Sequence, residues 1–320
     1  MNKSVPVIGF LILAIMALSV FGFAAYNALT SQPLFGVILA VLFLGFLFTL
    51  LNESQALSSA KAENLFSQKN LINAACVLVA ALVAYALSFN LKLGAVVAAG
   101  AVGVVAGLLL KDYAVPLYTG ALIGMASKTV LPGFTQVIVA GVLAGIVYVL
   151  ALTVFGGFGG KLGTMAVSGV TATALILGTG FNKPAAVPAW SVGWQLLVAA
   201  VIGAVASYYV NNNLKQGPVV GSAAVGLVAG LIALALPKAI PNIGALATVI
   251  ICGSFAGMSN TKRVPSVLRM AIVGAVLGLV YMFAAPFLGG AGGKLGCMAF
   301  GSNMAVRGLV DAFAKYGKSK

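Results

Sequence analysis

The apolar positions of this chain fall into runs of about twenty residues, separated by short polar or Pro/Gly-rich breaks. A helix needs about that many apolar residues to cross a hydrocarbon core about 30 Å thick, so the runs predict membrane-spanning helices. Strands of a transmembrane barrel would instead alternate apolar and polar residues, and the sequence lacks that alternation. The pattern predicts twelve segments: 5–29, 33–51, 71–89, 93–110, 116–132, 137–155, 162–179, 194–210, 218–236, 243–260, 267–288 and 296–313.

The breaks between these runs divide the chain into four parts. Asn52 to Asn70 is the longest polar stretch and separates the first two segments from the rest. The expected parts are 1–70 (two N-terminal transmembrane helices and a polar loop), 71–179 (a first membrane repeat), 193–313 (a second repeat) and 314–320 (a basic C-terminal tail). The apolar stretch after Lys3 exceeds the usual core of a signal peptide, so we expect an uncleaved first helix.

Composition agrees with this pattern. Of the 320 residues, 62% are hydrophobic and 7% are charged, a balance that soluble domains of this size do not show. The expected fold class is an all-α integral membrane protein, with about twelve segments, some of them short or broken helices. We expect a multi-pass protein of the cell membrane, either inner or plasma.

The two repeats are visible as an internal duplication. Residues 90–108 and 213–231 share 13 identities in 19 positions, and after a ten-residue insertion 120–166 and 253–299 share 18 in 47. Shared membrane composition raises identity among Ala, Val and Leu, but it does not place Pro132, Tyr148 and Lys161 at the same offsets as Pro265, Tyr281 and Lys294. In this second block, equivalent residues differ by 133 in number.

Each repeat holds five segments, and an odd number of crossings inverts the second repeat relative to the first. With the N-terminus inside the cell and every segment crossing, thirteen of the eighteen Lys and Arg lie on the cytoplasmic side, together with both termini. If the segments at 162–179 and 296–313 were re-entrant, the repeats would be parallel and the count would be twelve. Lys262, Arg263 and Arg269 favour the inverted arrangement, and the re-entrant alternative stays open.

The most specific local motif is GGxGGKLG, which occurs once in each repeat, before a short apolar segment. Glycine-rich backbone at membrane depth is tolerated where protein buries it or where it lines a wet cavity. A helix start offers free N–H groups and a positive dipole end, and with an adjacent lysine it suits an anion. Tight turns, helix contacts and lysines that reach the headgroups are the structural alternative. The candidate substrate-binding residues are Gly156, Gly157, Gly159, Gly160, Lys161, Gly163, Thr164, Gly289, Gly290, Gly292, Gly293, Lys294, Gly296 and Cys297.

A second set of residues consists of candidates for a pore lining. Glycines four apart before Met125 and Met258 let helices approach closely, and packing is the favoured interpretation, with a narrow pore as the alternative. Asn303, Arg307 and Asp311 are four residues apart, which places them on one helical stripe. The pore-lining candidates are Gly124, Ser127, Gly257, Ser259 and Asn303.

Several classes of function are disfavoured. The net charge of +14 is spread singly between apolar runs and forms no basic face, so we expect no nucleic-acid partner. The three cysteines have no CxxC spacing and the chain has no histidine, which disfavours a metal or a disulfide framework. Neither a nucleophile and base pair nor a nucleotide motif is present, so we expect no enzyme and no cofactor.

These features lead to a functional expectation. The predicted plan, two five-helix inverted repeats with interrupted helices, resembles that of urea-type channels and of several small-anion transporters. We expect a transporter or channel for a small solute, with its site between the repeats near the two motifs. An anion is the favoured solute. The alternatives are a channel for a small neutral solute and a non-transporting scaffold subunit. The expected partners are the lipid bilayer and the solute, and a homo-oligomer is left open.

Overall fold

The computed structural model describes residues 4–57 and 64–317, and every regular element within them is helical. Lys3, Lys61, Glu63, Lys318 and Lys320, used above for charge and orientation, lie outside the described residues. Twelve α-helices are present in the described part: α1 Ser4–Ser31, α2 Pro33–Ala56, α3 Gln68–Phe89, α4 Ala95–Leu109, α5 Ala114–Ile123, α6 Phe134–Leu150, α7 Lys161–Leu177, α8 Trp190–Tyr208, α9 Pro218–Ala235, α10 Ile243–Ala256, α11 Val267–Phe283 and α12 Lys294–Tyr316.

Some of these helices are long enough to cross a bilayer. Five helical stretches are long and apolar enough to cross it: Ser4–Ser31, Pro33–Ala56, Gln68–Phe89, Trp190–Asn213 and Pro218–Ala235. Five further helices, α4, α6, α7, α10 and α11, are apolar but shorter. The helices and their composition indicate a membrane-embedded protein, in agreement with the predicted class.

α5 and α10 end earlier than their apolar runs predicted. The runs 116–132 and 243–260 suggested single segments, but α5 ends at Ile123 and α10 ends at Ala256. After these ends the chain turns and forms hydrogen bonds with the opposite repeat. For example, the amide of Ser127 donates to the carbonyl of Gly290 at 2.9 Å. The apolar run does not reveal such a stop, because it continues past the last residue of the helix.

Two pairs of equivalent helices, α4 with α9 and α7 with α12, pack against each other in antiparallel orientation. In the α7–α12 pair, Gly163 lies against Gly296, where a Cβ added to Gly163 would be 2.6 Å from the Gly296 Cα. In the α4–α9 pair, Gly107 lies against Val220 near one end, and Gly230 lies against Val97 near the other. Helices that approach this closely need residues without side chains at the crossing.

The N-terminal hairpin of α1 and α2 packs against both repeats. Gly9 in α1 contacts the backbone at Leu150, where α6 ends, and the Asn27 side chain donates to the carbonyl of Phe283, where α11 ends, at 2.8 Å. On α2, the Thr49 hydroxyl donates to the carbonyl of Met304 in α12 at 2.8 Å. The ends of α6 and α11 therefore lie about five turns, or about 27 Å, apart along one continuous helix.

Candidate functional site

The two GGxGGKLG motifs form equivalent turns, which we call the first glycine turn (156–160) and the second glycine turn (289–293). Each contains two glycines with left-handed backbone, and the last of these directly precedes a helix: Gly160 has φ 86° and Gly293 has φ 85°. Residues with a Cβ rarely adopt this conformation, so the backbone itself requires glycine at these two positions.

Each glycine turn is bound by the opposite repeat. The amide of Ser127, after α5, donates to Gly290 of the second turn at 2.9 Å, and the amide of Asn260, after α10, donates to Gly157 of the first turn at 3.0 Å. Ser127 and Asn260 are equivalent residues, and so are Gly157 and Gly290. The two glycine turns therefore connect the repeats through a reciprocal pair of backbone hydrogen bonds.

The two motif lysines bind carbonyl groups at helix ends. Lys161 Nζ donates to the carbonyl of Leu152 at 3.2 Å, just beyond α6. Lys294 Nζ donates to Ala284 at 2.8 Å and to Ala285 at 3.3 Å, just beyond α11. The last carbonyls of a helix have no partner within it and carry the negative end of the dipole. Each ammonium group therefore stabilises the end of the preceding helix.

The second glycine turn also lines a cavity of about 370 Å³ between the repeats, which we call the inter-repeat cavity. The first repeat contributes Val96 and Met125, and the second contributes Phe255, Tyr281 and Met298, in addition to the turn. This volume lies within the range of small-molecule sites in proteins.

The charges around the inter-repeat cavity have one sign. Lys183, in the segment between the repeats, and Lys294 both line it, and none of its lining residues is Asp or Glu. Asn182 beside Lys183 is held in place, because its amide donates to Gly289 at 2.8 Å and its side-chain oxygen accepts from the Ser127 hydroxyl at 2.8 Å. The cavity thus offers a positive, partly polar lining.

No protein-family model, curated protein or solved structure matches this chain. The cavity and the groups around it therefore carry the assignment of function.

The structure separates the predicted substrate-binding residues into two groups. Four of them line the inter-repeat cavity: Gly289, Gly290, Gly293 and Lys294. The others are not among its lining residues: Gly156, Gly157, Gly159, Gly160, Lys161, Gly163, Thr164, Gly292, Gly296 and Cys297. The two motifs are equivalent in backbone, but only the second one borders this space.

The five predicted pore-lining residues are also absent from this lining. Gly124 packs against the α3 backbone at Tyr85, and Gly257 packs against the α8 backbone at Tyr208, which is the packing role that their spacing favoured. Ser127 orients Asn182, as described above.

The remaining pair, Ser259 and Asn303, forms a buried hydrogen-bond network. The Ser259 hydroxyl donates to Asn303 Oδ1 at 3.0 Å, and it accepts from the amide of Gly159 at 2.9 Å. Asn303 does not join the predicted stripe with Arg307 and Asp311, which form an ion pair of 2.7 Å by themselves.

Sequence reasoning missed several residues of the cavity. Lys183 was one of the eighteen Lys and Arg residues counted for orientation and was not singled out further. Asn182, Phe255, Tyr281 and Met298 carried no signal that set them apart from neighbouring residues. Lys183 had one usable signal, since it is a charge in the polar segment that joins the repeats.

The described residues contain no group of three or more His, Cys, Asp or Glu that could hold a metal ion. All three cysteines are free thiols, and Cys252 Sγ lies 3.3 Å from the carbonyl of Leu295.

Proposed function

We propose that this protein moves a small anion across a membrane and binds it in the inter-repeat cavity. The observation that carries the proposal is the cavity itself, because both repeats and the segment between them build it and two lysines line it without an acidic residue. A site between repeats is where many transporters bind their solutes. A scaffold subunit would need no such space.

The antiparallel pairing of equivalent helices supports an inverted arrangement of the repeats. Two contacts between distant segments agree with it. Lys111 and Lys215 line one cavity of about 350 Å³, and Glu53 pairs with Arg263 at 2.6 Å. With every segment crossing, all four residues lie on the cytoplasmic face, whereas the re-entrant alternative assigns Lys111 and Lys215, and likewise Glu53 and Arg263, to opposite faces. We therefore propose the inverted topology, with both termini cytoplasmic.

The proposal is tested by solute uptake into liposomes that contain the purified protein, with a panel of small inorganic and carboxylate anions and small neutral solutes. Ala291→Phe should abolish uptake, because Ala291 lines the cavity and the phenylalanine ring would occupy space that the solute needs. Lys183→Gln should reduce anion uptake about tenfold, since it removes one of two lining charges. Lys238→Gln is the matched control: Lys238 is exposed and is not a lining residue.

Unchanged anion uptake in Lys183→Gln would remove the anion from the proposal, and unchanged uptake of every solute in Ala291→Phe would remove the cavity as the solute site.

The second candidate is a channel for a small neutral solute. One observation favours it, namely that the Lys294 ammonium group is already bound by two carbonyls. Uptake of a neutral solute that is insensitive to Lys183→Gln and to membrane potential would support this candidate.

A further inference from the structure

We infer that Glu53, Phe158 and Arg263 form a gate that closes the face of the protein opposite the inter-repeat cavity. This inference rests on the proposed function, because a gate matters only if a solute passes. Its evidence is a difference between the two repeats at equivalent positions.

The first part of this difference is a single side chain in each glycine turn. Ala291 in the second turn lines the inter-repeat cavity, and the equivalent residue in the first turn is Phe158. Phe158 is 5% exposed and its ring centroid lies 6.1 Å from that of Phe300, edge to face. A large aromatic side chain therefore occupies the place in the first repeat where the second repeat has a methyl group and open space.

The second part is an arginine that covers this ring. The guanidinium carbon of Arg263 lies 4.2 Å from the centroid of the Phe158 ring, a distance at which cation and ring attract each other. The residue equivalent to Arg263 in the first repeat is Val130, which cannot form such a contact. The arrangement thus exists on one face only.

The third part joins three segments of the chain. Arg263 donates from Nη1 and Nη2 to the two carboxylate oxygens of Glu53 at 2.6 and 3.0 Å, and from Nε to the carbonyl of Gly156 at 2.9 Å. One guanidinium therefore ties α2 and the first glycine turn to the loop after α10. A bidentate pair of this kind fixes direction as well as distance.

A second arginine holds the backbone that carries this pair. Arg307 Nη1 donates to the carbonyls of Lys262 and Arg263 at 3.0 and 3.3 Å, and Arg307 Nε donates to Asp311 at 2.7 Å. The loop after α10 is thereby held against α12.

These contacts suit a gate better than a permanent seal. The side chains of Arg263 and Glu53 are 25% and 13% exposed, so water reaches the pair and can replace its bonds when the segments separate. A solute that enters the inter-repeat cavity past Lys183 can leave on the other face only after Phe158 moves, and Phe158 is held by Arg263.

The gate is tested by thiol labelling, without any solute, in vesicles of known orientation and in a variant whose three native cysteines are replaced by serine. Met298→Cys reports on the inter-repeat cavity, which Met298 lines. Met165→Cys is its equivalent in the first repeat; both methionines are 1% exposed, but Met165 is not among the residues that line the cavity. We expect a membrane-impermeant maleimide to label Met298→Cys from the Lys183 face and to leave Met165→Cys unlabelled from either face.

Arg263→Ala should raise the labelling rate of Met165→Cys about tenfold from the Arg263 face, because it removes the contacts that hold the first glycine turn. Glu53→Gln should act in the same direction, and it leaves the contact of Arg263 with Phe158 in place. Arg269→Ala is the matched control, since Arg269 lies on the same face and its side chain forms no ion pair with any residue in the described ranges.

Met165→Cys that stays unlabelled in both the Arg263→Ala and Glu53→Gln proteins would overturn the gate, and so would equal labelling in Arg269→Ala. Increased labelling together with no uptake of any solute would keep the gate and reject transport. Solute uptake that is normal while labelling never changes would reject the gate and keep transport.

Discussion

At the scale of single residues, the centre of the molecule is asymmetric although its backbone is duplicated. Asn303 is fully buried in α12, and its side-chain amide nitrogen lies 3.0–3.3 Å from three carbonyl oxygens, those of Gly159, Ala256 and Ala299. With Ser259 it forms a polar network that joins α12, the end of α10 and the first glycine turn. The equivalent residues of the first repeat are Val170 and Ala126, which cannot form this network.

The Ser259–Asn303 network predicts coupled losses of stability. Asn303→Ala and Ser259→Ala should each lower the free energy of unfolding in mixed detergent micelles by about 1–2 kcal/mol, because buried polar groups lose their partners. The double variant should lose less than the sum of the two, since the side chains share one hydrogen bond. Strictly additive losses would show that the two residues act independently.

At the scale of helices, α7 and α12 cross closely at Gly163 and Gly296. α7 and α12 start near each other and run in opposite directions, because Gly160 lies against Phe300 while Gly293 lies against Val167. Both helices therefore begin inside the molecule and extend to opposite sides of it.

The α7–α12 crossing predicts an effect of a single methyl group. Gly163→Ala and Gly296→Ala should each reduce the free energy of unfolding by about 1–3 kcal/mol, because the added Cβ would meet backbone atoms that cannot rotate away. Gly180→Ala is the control, since an added Cβ there meets no atom within 4 Å. Thermal unfolding of the purified variants measures the difference, and a melting temperature of Gly163→Ala equal to that of Gly180→Ala would contradict the close crossing.

At the scale of the whole molecule, contacts between distant segments bear on membrane orientation more directly than the count of Lys and Arg residues on each side does. That count differs by only one residue between the inverted and re-entrant arrangements. The pairing of Glu53 with Arg263 and the shared cavity of Lys111 and Lys215 each join segments that the two arrangements assign differently.

The inverted arrangement predicts the faces of three exposed lysines. In the cysteine-free variant, Lys111→Cys and Lys262→Cys should react with an impermeant thiol reagent from one side of the membrane, and Lys183→Cys should react from the other. The parallel, re-entrant arrangement would instead group Lys111→Cys with Lys183→Cys. Labelling of intact cells and of inverted vesicles separates these outcomes.

The sequence by itself determined the features that depend on neighbouring residues or on identity at a fixed offset. Apolar runs of about twenty residues specify helices in a bilayer, and GGxGGKLG specifies a turn before a helix, so the starts of α7 and α12 were predicted to within two residues. The duplication was visible because Pro, Tyr and Lys recur at matching positions.

The tertiary structure alone decided which of two similar turns borders a cavity. That outcome depends on residues far apart in the chain: Phe158 and Arg263 fill one side, whereas Ala291 and Lys183 border open space on the other. Likewise, α5 and α10 end early because their next residues bond to the opposite repeat. Local patterns cannot encode such contacts, because each residue's partner is set only when the two repeats pack together.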